Sequence, residues 1–189
     1  MPDARRALQA PRIRAVSRSS WKRARSFVEL CELGARFVEG RERCFPGWAS
    51  TCLDAESAAL VPLLARLNRA GFLTLASQPG ALAGVDGCEQ RAFASGFCHA
   101  THSRALRALH ARCYRRGERG LAGVAVSRRN GRARVFAGHN AFEDELELFR
   151  GAVGEPALAE LREYVYWSVW DPVWGREEWL WRKLARVCS

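Results

Sequence analysis

A polar turn that follows an apolar run is the segment whose residue types point most clearly to binding chemistry. The motif Ser-Gln-Pro-Gly at residues 77–80 ends the apolar run Phe72–Ser77. We expect this run to be an interior strand, so the motif would lie at its carboxyl end, where α/β sheets bind ligands. Proline followed by glycine predicts a type II turn, because the third position of that turn needs a positive φ. Such a turn would present Ser77, Gln78 and free N–H groups to an anion or an amide. The alternative is that the turn only reverses the chain and Gln78 bonds to nearby backbone.

A second polar motif, Asp-Pro-Val-Trp-Gly-Arg at residues 171–176, follows another predicted buried strand. Asp171 could accept hydrogen bonds from a ligand, and the Arg176 guanidinium could pair with a phosphate or carboxylate through two parallel hydrogen bonds. If the protein is an enzyme, Asp171 is the best candidate for a general base. The alternative is that Asp171 caps the last helix and Arg176 forms an internal ion pair.

These motifs predict a small site for a polar or anionic ligand, with Gln90-Arg91 as its third part and Asn68 and Thr74 as supporting groups. The predicted ligand-binding residues are Asn68, Thr74, Ser77, Gln78, Gly80, Gln90, Arg91, Asp171, Trp174 and Arg176. No activated nucleophile is visible, so the sequence leaves open whether the protein is an enzyme.

Potential metal ligands are present but poorly grouped. Soft ligands are offered by Cys98, His102, His110 and Cys113. Zinc sites usually draw their ligands from two closely spaced pairs, and only His110 and Cys113 form such a pair, on one face of a predicted helix. The acidic run at residues 143–145 is explained by the dipole of a helix that begins there. We predict neither a metal site nor a cofactor.

The positive charge is concentrated at the amino end. Residues 1–25 contain eight basic residues and one acidic residue, a charge of +7, so the other 164 residues contribute only +3 of the total of +10. We predict a disordered basic arm over residues 1–20 and a single α/β domain over residues 21–189. The arm, and the arginines at residues 128–134 around a hairpin tip, support an alternative function. It is a non-specific nucleic-acid module, or a protein-interaction module that also uses the Trp-rich end at residues 167–181.

The remaining expectations concern the surroundings of the protein. The longest uncharged stretch, Ala70–Val85, is too short to span a membrane. No apolar segment follows Arg5-Arg6, so we predict no signal peptide, no membrane partner and a cytoplasmic protein. The seven cysteines are scattered, with no C-x-x-C pair, which predicts reduced and mostly buried thiols. The oligomeric state is not predictable.

The elements that must position these motifs follow from apolar periodicity and from turn residues. The Ser26-x-x-Glu29 pattern predicts a capped helix that ends at Gly40, and Asn130-Gly131 is the strongest hairpin signal. The predicted helices cover residues 27–38, 54–70 with a kink or restart at Pro62, 103–116, 141–150, 156–163 and 176–187, and the predicted strands cover 72–77, 91–98, 121–127, 132–137 and 164–170. Because strands and helices alternate, we predict an α/β fold, with α+β as the alternative. It would have a single mixed sheet of about five strands layered with helices.

Four groups of segments also carry a family resemblance. They are Trp21 with Arg25–Leu30 and Gly34; Leu67–Phe72 followed by the motif at 77–80; Gln90–Ala92 with Gly96-Phe97; and the motif at 171–176 followed by Leu180-Trp181. Together they resemble an uncharacterised actinobacterial domain family over roughly residues 21–185. The resemblance implies no reaction, because that family has no established activity. The chain differs from it in the arm at 1–20 and in the Cys-rich loop at 44–52.

Overall fold

The computed structural model describes residues 18–48, 50–118, 123–137 and 141–188. Its helices are α1 (Arg18–Arg23), α2 (Phe27–Val38), a 3-10 helix (Ala55–Leu60), α3 (Val61–Arg69), α4 (Ala100–Leu106), α5 (Ala141–Glu147), α6 (Glu155–Leu161) and α7 (Trp179–Val187). Its strands are β1 (Phe72–Gln78), β2 (Cys88–Gln90), β3 (Phe93–Cys98), β4 (Ala111–Tyr114), β5 (Val124–Arg129), β6 (Arg132–Ala137) and β7 (Val165–Trp170).

The predicted mixed α/β class is confirmed, but the strands form two antiparallel sheets instead of one mixed sheet. The larger sheet has the order β1-β3-β7-β4 and the smaller has the order β2-β5-β6. Backbone bonds hold the small sheet at the end of the large one: Ala81 pairs with Gln90, and Arg91 N–H donates to the Val126 carbonyl. The residues between β1 and β3, which include β2, therefore connect the two sheets.

Strand β1 is an edge strand, although its apolar run predicted an interior one. Among the described strands it pairs with β3 alone, from Phe72 opposite Cys98 to Gln78 opposite Phe93. Its first four residues are nevertheless buried, because α2 and α3 pack against it. The apolar residues of β1 are thus explained by the helices packed against it and not by a central position in the sheet. The central strands are β3 and β7.

The amino-terminal helices follow the local signals closely. The Ser26 hydroxyl caps α2 by accepting from the Glu29 N–H. Pro62 lies in the first turn of α3, after the 3-10 helix, so it restarts the predicted helix 54–70. Residues 1–17 of the predicted arm lie outside the described residues, and residues 18–20 belong to α1, which contains the buried Trp21.

The helix predicted over residues 103–116 is wrong. His99 caps the short helix α4 by accepting from the Thr101 N–H, and the helix ends at Leu106. The chain then forms β4, in which Cys113 lies opposite Trp167. This pairing satisfies the free edge of β7, which outweighs the helical spacing of the apolar residues. His110 and Cys113 therefore do not share a helix face.

The hairpin is confirmed. Asn130 has a φ of 48° and Gly131 a φ of 76°, as a type I′ turn between β5 and β6 requires. The predicted first strand included residues 121–122, which lie outside the described residues. Helix α7 begins at Trp179, later than predicted, because residues 171–176 form a turn closed by an ion pair between Asp171 and Arg176.

The core lies between the four-stranded sheet and the helices that cover it. Phe97 of β3 is fully buried, and its ring contacts Phe142, Phe149 and Tyr166. All seven cysteines are reduced thiols, but only Cys31 and Cys98 are buried, so the expectation of mostly buried thiols is wrong. No helix in the described part of the chain is long and apolar enough to cross a membrane.

Candidate functional site

Close backbone packing brings the predicted motifs together where the two sheets meet. A Cβ at Gly80 would overlap the Arg176 carbonyl and lie 3.3 Å from the Ala92 nitrogen. Gly175 N–H in turn donates to the Gln90 carbonyl over 3.0 Å. The segments at residues 80–81, 90–92 and 175–176 therefore pass directly over one another. A glycine is needed at position 80 for this close approach. The predicted type II turn is wrong, because the φ of Gly80 is not positive.

Gln78 connects the two sheets. Its amide Nε2 donates to the Arg91 carbonyl over 2.9 Å and to the Val126 carbonyl over 2.8 Å. Its Oε1 accepts from the Ser127 hydroxyl over 3.3 Å. Both amide N–H donors and the oxygen thus have protein partners. These contacts agree with the alternative expected from the sequence, in which Gln78 bonds to nearby backbone groups.

Asp171 is fully buried and forms a two-bond ion pair with Arg176. Its carboxylate accepts from Arg176 Nε and Nη2, each over 2.7 Å, and also from the Val173 N–H over 2.9 Å. The bonds to Asp171 raise the pKa of Arg176 above its ordinary value. Both carboxylate oxygens accept hydrogen bonds from residues of the same turn, so Asp171 stabilises the 171–176 turn. Neither oxygen is left unbonded for a substrate.

Two guanidinium groups lie against one indole ring. The Arg91 carbon Cζ is 4.4 Å from the centroid of Trp174, and that of Arg128 is 4.1 Å from it. At this range each pair gains a cation–π attraction. Arg128 also donates from Nε to Glu89 over 2.6 Å. We call Arg91, Arg128 and Trp174 the arginine–tryptophan cluster.

Arg91 differs from the other arginines of this region in having no bonded carboxylate. Its Nε is buried and has no hydrogen-bond partner within the described residues. Burial, followed by the neighbouring charge of Arg128, lowers the pKa of Arg91 from its ordinary value, and the charge of Asp171 opposes this effect. A half-buried cation next to a second cation is electrostatically unfavourable unless an anion joins them.

Three predicted site residues lie elsewhere. The Asn68 amide donates to the Leu64 carbonyl and to the Thr74 hydroxyl, and its oxygen accepts from the Thr74 N–H, so this buried pair fastens α3 to β1. Thr74 and Ser77 line an apolar depression next to Phe37 and Trp48 that has room for little more than a water molecule. The structure therefore brings together Gln78, Gly80, Gln90, Arg91, Asp171, Trp174 and Arg176, but not Asn68, Thr74 and Ser77.

Ser127, Arg128 and Glu89 were not assigned to this site from the sequence, and Arg128 was considered only among the hairpin arginines of the nucleic-acid alternative. The hairpin signal at residues 130–131 places Arg128 on β5, but nothing local indicates that β5 pairs with β2. In that pairing Arg128 lies opposite Glu89, and Trp174 reaches it from a distant turn. The contact is decided by sheet pairing and by the fold of the 171–176 turn.

The potential soft metal ligands named from the sequence were not predicted to form a site. In the described part of the chain, no group of three or more His, Cys, Asp or Glu side chains is placed to hold a metal ion. Burial raises the pKa of Cys98 far above its ordinary value. This thiol is therefore poorly suited to act as a ligand or a nucleophile.

Comparison with protein-family models gives a match over most of the chain. A family model described as a domain of unknown function (DUF6919) matches residues 16–188. No curated protein is significantly similar to the chain.

Proposed function

The chain belongs to the DUF6919 family, whose description gives no function, and we propose from its geometry that it binds an anionic ligand through the arginine–tryptophan cluster. The observation that supports this proposal most directly is the state of Arg91. Its guanidinium is half-buried, and its Nε has no hydrogen-bond partner within the described residues. The neighbouring Arg128 and Arg176 each have a carboxylate, Glu89 and Asp171 respectively. Of these three arginines, Arg91 is the one to which a ligand would bring the negative partner charge.

The physical chemistry favours an oxyanion. A guanidinium presents its N–H donors in a planar fork that matches a carboxylate or a phosphate, and charge-assisted bonds of this type are about twice as strong as neutral ones. Trp174 holds Arg91 in place, so little side-chain entropy is lost on binding. An anion at this point would also screen Arg91 from Arg128. Gln78, Asp171 and Arg176 would shape the site without touching the ligand.

We infer that the arginine–tryptophan cluster binds a ligand and that Asp171 does not act as a general base. A general base needs an oxygen within reach of a substrate proton. Both oxygens of Asp171 accept protein hydrogen bonds, and the carboxylate is fully buried.

Titration with sodium acetate and with inorganic phosphate, followed by amide chemical shifts, tests this function. The wild type should show saturable shifts around residues 90–92 and 171–176. Arg91→Gln should weaken binding at least about tenfold, the effect of one charge-assisted interaction. Arg104→Gln, at an exposed arginine on α4, is the matched control and should bind as the wild type does.

Stability separates this function from a structural role of Arg91. If Arg91 is an unsatisfied cation that awaits a ligand, Arg91→Gln should leave the melting temperature in ligand-free buffer unchanged or higher. A lowered melting temperature together with unchanged anion binding would show that Arg91 serves only the packing of Trp174, and the proposed function would be refuted.

The alternative function is a nucleic-acid module that uses the basic arm and the hairpin. Within the hairpin, Arg128 pairs with Glu89 and Arg129 with Asp86, so half of the arginines at residues 128–134 are already neutralised by protein carboxylates. Deleting residues 1–17 and measuring the binding of oligo(dT) at two salt concentrations tests this alternative. It requires a sharp loss of affinity in the truncated chain and a steep salt dependence in the full chain.

A further inference from the structure

Exposed apolar side chains adjoin the arginine–tryptophan cluster. In the described part of the chain, two of the large hydrophobic side chains that stand exposed lie beside Trp174. Leu82, which is 73% exposed, packs against Gly175, and Val173, which is 48% exposed, directly precedes Trp174. Isolated exposed apolar residues are ordinary, but two beside a cation whose buried Nε has no partner within the described residues indicate a contact surface.

The segments that carry Leu82 and Val173 are held in place by defined contacts. Leu82 packs against Gly175, where a Cβ would overlap its side chain. The Val173 N–H donates to the Asp171 carboxylate over 2.9 Å, and Ala81 exchanges two backbone bonds with Gln90. The apolar side chains therefore stand on backbone that is fixed beside residues 90–92 and 171–176, and ordering them on binding costs little entropy.

We propose that this surface docks an acidic, apolar segment of a partner protein. The inference rests on the proposed function and names its ligand. A Glu or Asp carboxylate of the partner would pair with Arg91 beside Arg128, while its apolar neighbours would cover Leu82 and Val173. The apolar side chains of this surface stand exposed, and its centre combines tryptophan with arginine, as the energetic centres of protein interfaces do.

Charge complementarity selects a singly charged partner group. The arginine–tryptophan cluster and its paired neighbours contain three guanidinium groups, from Arg91, Arg128 and Arg176, and two carboxylates, from Glu89 and Asp171. Their net charge of +1 matches one carboxylate. A doubly charged phosphomonoester would leave an excess negative charge beside two protein carboxylates, so a carboxylate side chain is the better fit.

Three peptides test the proposal by isothermal titration: acetyl-Leu-Glu-Leu-amide, its Gln analogue and acetyl-Ser-Glu-Ser-amide. Replacing Glu by Gln should weaken binding about tenfold, because the charged pair is lost. Replacing both Leu by Ser should weaken it about tenfold, because apolar area is no longer buried. The double variant Leu82→Ser, Val173→Ser should abolish the preference for Leu over Ser and leave acetate binding unchanged.

The controls separate failure of this inference from failure of the proposed function. Val28→Ser removes an equally exposed apolar side chain on α2 and should change no affinity. If acetate binds at Arg91 but Leu and Ser peptides bind alike, the partner inference is overturned and anion binding stands. If neither acetate nor the Glu peptide binds, both are overturned. Tighter binding of oligo(dT) than of the Leu-Glu-Leu peptide at the same residues would also overturn the inference.

Discussion

Replacing Glu145 by Gln tests how the buried electrostatics of α5 set the pH dependence of stability. Glu145 is half-buried on α5, close to Tyr166, which is itself buried and bonded to Ser95. Burial, and secondarily the charge of Asp144, raises the pKa of Glu145 from 4.5 to about 7. The folded protein therefore keeps this carboxyl neutral at a pH where the unfolded chain ionises it.

The sign and size of the effect follow from proton linkage. Between pH 4.5 and about 7 the folded state binds more protons at Glu145 than the unfolded state, so the free energy of unfolding falls as the pH rises. The full contribution is present below pH 4.5 and is lost above pH 7. The two pKa values differ by about 2.5, which corresponds to about 3 kcal/mol at about 1.4 kcal/mol for each unit.

Urea unfolding of the wild type, Glu145→Gln and Glu143→Gln at several pH values measures this contribution. Glutamine imitates the neutral carboxyl, so the stability of Glu145→Gln relative to the wild type should increase by about 2.5 kcal/mol from pH 5 to pH 8. Glu143 is exposed on the same helix, and its variant should track the wild type. A difference between Glu145→Gln and the wild type that is the same at every pH would refute the reasoning.

Three further substitutions test the contacts that hold the candidate site, with urea unfolding as the measurement. Arg176→Gln leaves the fully buried Asp171 carboxylate without its ion pair, so the free energy of unfolding should fall by about 3–5 kcal/mol; a loss below about 1 kcal/mol would contradict the structural role. Asn68→Ala removes three hydrogen bonds of a fully buried amide, and we expect a loss of about 3 kcal/mol with anion binding retained. Gly96→Ala directs a methyl group into the Leu73 carbonyl between β1 and β3 and should cost at least about 2 kcal/mol; an unaffected variant would mean that the strands separate freely.

Local features of the fold were predictable because they depend on neighbouring residues. Ser26 caps α2 through a bond to the third residue after it, and Asn130 with Gly131 adopts the positive φ values that a two-residue hairpin needs. Pro62 marks the start of a new helix because proline has no backbone N–H to donate and is tolerated only in the first turn. In each case the deciding interaction spans only a few residues.

Strand pairing was not predictable in this way. The apolar spacing at residues 106–113 fits a helix, but β4 forms there because β7, over fifty residues later, offers an open edge. Likewise, the apolar run of β1 indicated an interior strand, whereas α2 and α3 bury it at the edge of the sheet. Periodicity reports which side chains are buried and does not identify what buries them.

The sequence by itself determined the cap of α2, the helix restart at Pro62, the hairpin at residues 130–131 and the mixed α/β class. The tertiary structure alone decided what the two polar motifs do. The Gln78 amide and both oxygens of Asp171 bond to protein groups. The buried Nε of Arg91, whose guanidinium lies over the Trp174 ring, has no partner within the described residues. The physical reason is that a polar side chain is satisfied or left open by groups brought to it from distant segments, and local residue types do not contain those distances.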